Sequence, residues 1–214
     1  MMIERRTVLT WALALPATMA ALPLSPFPSM AAADGGARLA EAARAQIGVT
    51  VIYDPAYVRL DYPNGDVDRG RGVCADVIVR AFRDALDLDL QALIHRDMTN
   101  AFADYPSRTA WGLKRPDRNI DHRRVLNLET FLTRRRARLW RNDGSSSDGT
   151  AFPEALAPGD LLTWRLDDRL PHVAFVGEVG RDPSVIHNIG GGAQEEPLAR
   201  LGPHRPVGHF RWAG

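Results

Sequence analysis

The sequence predicts a single domain of the α+β class, and two observations carry that prediction. Segments with helical periodicity fill the first two thirds of the chain, whereas the last third holds short strand-like runs separated by turn residues. Helices that precede the strands, rather than alternate with them, are typical of an α+β domain with a small antiparallel sheet. A chain of 214 residues that is 45% hydrophobic and 25% charged suits one globular domain, here over residues 34–214.

Residues 1–33 are predicted to be an export signal that is removed before the domain functions. Arg5 and Arg6 form a positive start, an apolar stretch follows over residues 7–15, and Ala31-Ala32-Ala33 offers a small-residue cleavage site. The paired arginines also fit a twin-arginine signal. Prolines interrupt the apolar stretch, so we expect no stable membrane span and a periplasmic or otherwise exported protein.

The charge and cysteine content exclude several classes of protein. The formal net charge is +1, and it falls to zero when Glu4, Arg5 and Arg6 are lost with the signal. A neutral chain is not expected to bind nucleic acid, because such proteins usually carry a basic excess. The single cysteine, Cys74, cannot form an internal disulfide or a zinc site built from several cysteines. We expect no metal and no cofactor, and the sequence leaves the oligomeric state open.

Four segments of the mature chain show the 3.6-residue periodicity of helices. They span residues 38–47, ended by Gly48, then 73–86, 88–105 and 125–139. The second is the clearest, because Val73, Val77, Ala81 and Ala85 lie on one stripe. Residues 54–72, 114–119 and 142–150 are rich in turn formers and are predicted to be loops.

Strand-like runs follow in the last third of the chain. They cover residues 161–164, 173–176, 185–188 and 208–212, and a further short run lies earlier, at residues 49–53. Pro158-Gly159-Asp160, Asp167-Asp168 and Gly190-Gly191-Gly192 provide turns between them. These runs are predicted to form the antiparallel sheet.

Cys74 is the first candidate catalytic residue, because it lies at the predicted start of a helix. Backbone N–H groups and the helix dipole favour an anion there, so the position is expected to lower the thiol pKa and create a nucleophile. A thiol nucleophile also needs a base. His172 opens one strand-like run and His187 lies near the end of the next, so adjacent strands would bring them together. The alternative is a buried, unreactive cysteine, the commoner role of a lone cysteine.

Several segments together resemble the papain-like, NlpC-type superfamily of bacterial cell-wall cysteine peptidases. They are Gly72-Val73-Cys74-Ala75-Asp76-Val77, Ala157-Pro158-Gly159-Asp160-Leu161, Pro171-His172-Val173-Ala174-Phe175-Val176 and Val185-Ile186-His187-Asn188, in the superfamily's order. More narrowly, residues 38–212 resemble an uncharacterised exported bacterial family catalogued as a domain of unknown function. Val73 and Ala75-Asp76 depart from the superfamily, which commonly has aspartate before the nucleophile and serine-glycine after it.

The superfamily resemblance implies a papain-like core and a mechanism. Cys74 would attack an amide carbonyl, His172 would carry the proton, and His187 would orient His172. The substrate would be peptidoglycan or a peptide. Residues from about 88 to 142 exceed a minimal domain of this kind and would form a helical insert over the cleft.

Six further residues are candidates for substrate binding. The resemblance places Tyr53 at the cleft, although an aromatic residue is equally at home in a core. Asp121, His122, Arg123 and Arg124 form a cluster whose arginines could bind a substrate carboxylate, or could instead join loop salt bridges. Asp76 adjoins the nucleophile, and its spacing to Arg80 also predicts an ion pair within the helix.

The expected function is therefore hydrolysis of an amide bond by a Cys-His-His triad. Two alternatives stay open. The same acyl-enzyme could pass its acyl group to an acceptor other than water, or the chain could be a cell-wall binding module without turnover.

Overall fold

The computed structural model describes residues 30–214 and has mixed helix and sheet, as the α+β prediction requires. The predicted export signal lies outside the described residues except at its end, where the backbone of residues 30–33 belongs to the first helix. The helices are α1 (Met30–Arg44), α2 (Cys74–Leu86), α3 (Leu90–Ala101), α4 (Ser107–Trp111) and α5 (Val125–Arg134).

Within residues 30–214, eight strands form two sheets. A parallel pair joins β1 (Ile52–Tyr53) to β2 (Arg71–Gly72). The larger sheet is antiparallel, and its spatial order is β3-β8-β4-β5-β6-β7. These strands are β3 (Arg138–Arg141), β4 (Leu161–Leu166), β5 (Leu170–Val176), β6 (Ser184–Asn188), β7 (Ala193–Pro197) and β8 (Arg205–Phe210).

Helix α2 forms the centre of the core, because its apolar stripe is completely buried. Val77, Ile78, Ala81 and Phe82 have no exposed surface. The helix begins firmly, since the Asp76 carboxylate accepts a hydrogen bond from the Val73 N–H at 2.7 Å. It ends at Asp87, which adopts a left-handed conformation with φ of 55°.

The two faces of the larger sheet bury different clusters. Val173, Phe175 and Ile186 pack beneath α2 on the helix-covered face. Alternate residues of the same strands, including Ala174 and Val185, pack with Trp164 on the opposite face. Leu198 and Leu201, from the 3₁₀ turn Leu198–Leu201, also pack in this second cluster. The alternation therefore fixes which strand side chains can approach α2.

The structure corrects the ends of two predicted helices. The helix predicted over residues 125–139 ends at Arg134, and Arg138–Arg141 instead forms β3, which pairs with β8. The helix predicted over 88–105 closes at Ala101 with a 3₁₀ turn after it. The insert at about 88–142 therefore carries the helices α3, α4 and α5, and its last residues belong to the main sheet.

Candidate functional site

Cys74 lies where two neighbouring strands of the main sheet part. Strands β5 and β6 pair at Phe175 with Ile186 and at Val176 with Val185, and the ladder goes no further towards Val173. The Val173 N–H lies near enough to the Cys74 thiol to favour its thiolate form. The thiol, the first side chain of α2, thus lies beside the part of β5 that β6 leaves unpaired.

Asn188 secures the backbone in front of the thiol. Its side-chain amide donates to the Gly72 carbonyl at 2.9 Å, and the residue is fully buried. A Cβ at Gly72 would lie 3.0 Å from the Asp76 side chain, so the approach to α2 is close. Asn188 was not among the predicted site residues.

Burial raises the pKa of the Cys74 thiol to about 11, opposite to the lowering expected from its position at a helix start. The N–H groups of Val173, Ala75 and Cys74 itself favour the thiolate, but desolvation is larger and Asp76 adds a repelling charge. The residue is only 4% exposed. The helix start can be predicted from the sequence, but the burial of the Cys74 thiol cannot. The thiol is protonated at neutral pH.

The structure brings the two predicted histidines together and adds a carboxylate. His172 Nε2 lies 2.7 Å from His187 Nδ1, and His187 Nε2 lies 2.9 Å from Glu196 Oε1. Because a carboxylate only accepts, His187 Nε2 carries a proton, and its Nδ1 accepts from His172 Nε2–H. This assignment leaves His172 Nδ1 with a lone pair. Burial lowers the pKa of His172 well below its usual value, so the imidazole is neutral.

Cys74 and His172 lie on opposite faces of the sheet. Cys74 packs with Val173 on the helix-covered face, whereas the His172 ring lies beside Trp164 on the other face, with ring centroids 6.2 Å apart. Within residues 30–214 no hydrogen bond joins the thiol to this imidazole, and His172 does not line the cleft that opens onto Cys74.

We predict slow alkylation of Cys74 in the free protein. With a pKa of about 11, the rate with iodoacetamide should rise roughly tenfold per pH unit from about pH 7 to 10. N-acetylcysteine provides the control, because its rate should level off near its own pKa of about 8.5. A Cys74 rate that levels off at or below that point would contradict the raised pKa. Cys74 is the single cysteine, so intact mass reports this site alone.

A cleft of about 400 Å³ opens onto Cys74. Its lining is largely apolar and aromatic, with Tyr53, Tyr57 and Trp111 among the walls and Pro171 beside the thiol. Tyr53 is close enough that the thiol charge helps to raise the tyrosine pKa, after burial as the main cause. The structure therefore places Tyr53 at the cleft, and we call this space the thiol cleft.

Asp76 and Arg123 form a buried ion pair beneath the thiol cleft. Arg123 Nε lies 2.8 Å and Nη2 lies 3.0 Å from the Asp76 carboxylate oxygens. The same guanidinium donates to the Asp54 and Ala56 carbonyls, so it holds the loop that follows β1. The ion pair predicted between Asp76 and Arg80 is wrong, because Arg80 binds Asp66 at 2.9 Å instead.

Arg124 and Asp121 take different positions around the cleft. Arg124 lies over the Trp111 ring at 4.0 Å and lines the cleft, with one bond to Asp121 at 3.2 Å. Asp121 is buried and caps its loop by accepting from the Asp117 N–H at 2.5 Å. Of these predicted binding residues, Arg124 keeps its side chain towards the cleft, and Asp121 supports it.

His122 is buried and neutral, away from the cleft lining. Burial lowers its pKa to about 4, and its Nδ1 has no hydrogen-bond partner among the described residues. An unfolded histidine titrates near 6.5, so the unfolded state binds the proton first as the pH falls. The folded state thus loses stability as the pH drops from 6.5 to 4.

We therefore expect His122 alone to cost about 3 kcal/mol of unfolding free energy between pH 7 and pH 4. Urea unfolding at both pH values, for wild type and His122→Gln, measures this contribution as the difference in pH dependence. An identical pH dependence in the two proteins would contradict it.

Glu196 is the second site residue that the sequence analysis missed. It lies on β7, whose sequence Ala-Gln-Glu-Glu-Pro has no alternation of apolar residues. Its neighbour Glu195 points to the other side and pairs with Arg44 at 2.7 Å. Pairing with β6 creates this strand, and no local pattern marks it.

Comparison with known proteins identifies the family. A family model described as "Domain of unknown function (DUF1287)" matches residues 40–212. The chain belongs to the DUF1287 family. This confirms the narrower resemblance, to a family of unknown function. The uncharacterised protein YijF of Escherichia coli strain K12 is 49% identical over 177 residues, which cover 81% of this chain and 80% of YijF. No solved structure matches the chain.

Among residues 30–214, no helix is long and apolar enough to cross a membrane. Over the same part of the chain, no group of three or more histidine, cysteine, aspartate or glutamate side chains could hold a metal ion.

Proposed function

We propose that this protein is an exported thiol hydrolase that cleaves an amide bond in peptidoglycan. The observation that carries the proposal is the hydrogen-bonded series His172–His187–Glu196, which ends beside the backbone that holds the Cys74 thiol. Burying three polar side chains costs free energy of desolvation, which their hydrogen bonds offset. The series leaves a neutral imidazole with a free nitrogen, and such a group can accept the proton of a thiol nucleophile.

In the proposed reaction the protonated thiol and neutral His172 act together. Because the two side chains lie on opposite faces of the sheet in the free protein, the reaction requires the start of β5 to move so that His172 reaches the thiol. As Cys74 Sγ attacks the carbonyl carbon, its proton passes to His172 Nδ1, and the Glu196 carboxylate stabilises the resulting charge through His187. His172 then gives the proton to the departing amine, which leaves a thioester on Cys74. Water hydrolyses the thioester to a carboxylic acid. Backbone N–H groups at the start of α2 are the proposed donors to the oxyanion.

The papain-like fold is part of the same proposal. In its support, the helix that carries the thiol packs on an antiparallel sheet whose neighbouring strands carry the two histidines. The peptidoglycan substrate and the periplasmic location rest on the superfamily resemblance and on the predicted export signal. An apolar, aromatic cleft with a cation at Arg124 suits a peptide that carries carboxylates.

Incubation of purified peptidoglycan with wild type and Cys74→Ala tests the proposal. We expect soluble fragments with new carboxylates from wild type and none from the variant, as measured by mass spectrometry. Arg181→Gln is the matched control, because Arg181 is exposed in the turn between β5 and β6, at the far end of those strands from Cys74. Identical profiles for wild type and Cys74→Ala would refute hydrolysis of this substrate and favour a binding module. Fragments joined to an added amine would favour acyl transfer.

A further inference from the structure

A second cavity, of about 730 Å³, adjoins the thiol cleft. It is formed by the loop 112–119 together with Tyr57 and His95. Tyr57 lines both spaces, so the two meet at this residue. We call this second cavity the annexe. A substrate lying across the thiol could extend past Tyr57 into it.

The annexe carries an excess of positive charge. Lys114, Arg115 and Arg118 line it and are exposed. Across the described part of the chain none of the three forms a salt bridge, whereas the two arginines that line the thiol cleft, Arg123 and Arg124, pair with Asp76 and Asp121. The one acidic residue, Asp117, is already occupied by the Tyr57 hydroxyl at 3.1 Å and the Asn119 side chain at 2.9 Å. Arg118 lies over the Tyr62 ring, 5.4 Å from its centroid, so Lys114 and Arg115 are the cations most accessible to an anion.

The loop that bears these cations is fixed to the thiol cleft. The Asn119 side chain donates to the Tyr57 hydroxyl at 2.9 Å and accepts from the Leu60 N–H at 3.0 Å. These bonds tie the loop 112–119 to the segment that follows β1, which also lines the cleft. His95 Nδ1, which also belongs to the annexe, is buried and has no partner among the described residues. The arrangement is organised before any ligand binds, which favours affinity.

We propose that the annexe binds the carboxylate-bearing end of the substrate peptide while the amide to be cleaved lies over Cys74. Arginine is suited to carboxylates because its planar guanidinium donates two parallel hydrogen bonds, and Lys114 adds a point charge. The inference rests on the proposed function only in treating the thiol cleft as the substrate site. It adds the place where the carboxylate-bearing end of that peptide binds, and residues that no sequence motif marks.

Binding measured without turnover tests the annexe. The probes are the stem tetrapeptide purified from peptidoglycan and the same peptide with its carboxylates amidated. Isothermal titration uses full-length Cys74→Ala as the background, compared with the same background carrying Lys114→Gln and Arg115→Gln. Arg181→Gln is the control for loss of a distant exposed charge, and thermal unfolding checks that each variant folds.

We expect the double charge variant to bind the free tetrapeptide about tenfold more weakly and the amidated peptide unchanged. Added salt should reduce the preference for the free peptide, since the cations are exposed. Equal affinity for the two peptides, or no binding of either, would overturn the annexe proposal. Because Cys74→Ala cannot turn over substrate, charge-dependent binding without peptidoglycan cleavage by wild type would refute the proposed hydrolysis and leave the annexe standing.

Discussion

Replacing His172 with alanine is expected to lower kcat/KM by about 10³-fold or more, measured on a soluble peptidoglycan fragment that wild type cleaves. The reason is that the Cys74 thiol, with a pKa of about 11, is protonated at neutral pH and cannot attack without a base. His172 supplies a base that stays neutral down to low pH, because burial lowers its pKa. Activity should therefore persist below pH 6.5, where an ordinary histidine would be charged.

Substitutions at His187 and Glu196, the partners of His172, should give smaller losses of activity. His187→Ala removes the acceptor that holds the His172 ring, and Glu196→Gln keeps an acceptor oxygen for His187 but removes its charge. We expect Glu196→Gln to cost about tenfold in kcat with little change in KM. Glu195→Gln is the matched control on the same strand, since Glu195 binds Arg44 and Ser184 instead. Equal kinetic losses in the two variants would contradict the series from Glu196 to His172.

Replacing Asp76 with alanine is expected to reduce the free energy of unfolding by about 3–5 kcal/mol. The change leaves the Arg123 guanidinium buried without its counter-charge, since that side chain is only 2% exposed. It also removes the carboxylate that accepts the Val73 N–H at the start of α2. Because Arg123 holds the carbonyls of Asp54 and Ala56, the same change should loosen a wall of the thiol cleft and raise KM.

Asp84→Ala gives the matched control for this prediction. Asp84 lies on the same helix and binds Arg69 at 2.7 Å, but both side chains are substantially exposed. A surface pair of this kind is worth about 1 kcal/mol or less. Urea unfolding of both variants should separate the two cases. Similar losses of stability for Asp76→Ala and Asp84→Ala would contradict a special role for the buried pair.

The parts of the fold that the sequence predicted are those with a strong local pattern. Helix α2 and strands β4, β5 and β6 follow from the periodicity of their apolar residues, and their order predicted the α+β class. Strand β7 has no such pattern, because its polar residues depend on pairing with β6. Helix α5 ends where Arg136 takes a left-handed conformation with φ of 59°, and an arginine gives no sign of such a turn.

Those residues of the candidate site that lie on elements with a strong local pattern could likewise be predicted from the sequence. Two successive strand-like runs were enough to predict that His172 and His187 would meet. Glu196 could not be found, since it lies on the strand without a pattern. The depth of Cys74, which reverses the expected pKa shift, depends on how α2 seats between β5 and β6. Such tertiary burial leaves no trace in local spacing.

Digestion of peptidoglycan in water labelled with oxygen-18 tests most directly the claim that Cys74 hydrolyses an amide. Hydrolysis of the thioester predicts that wild type places one labelled oxygen in each new carboxylate. Cys74→Ala should release no such fragments. Labelled fragments in equal amounts from both proteins, or fragments from wild type that carry no label, would contradict the claim.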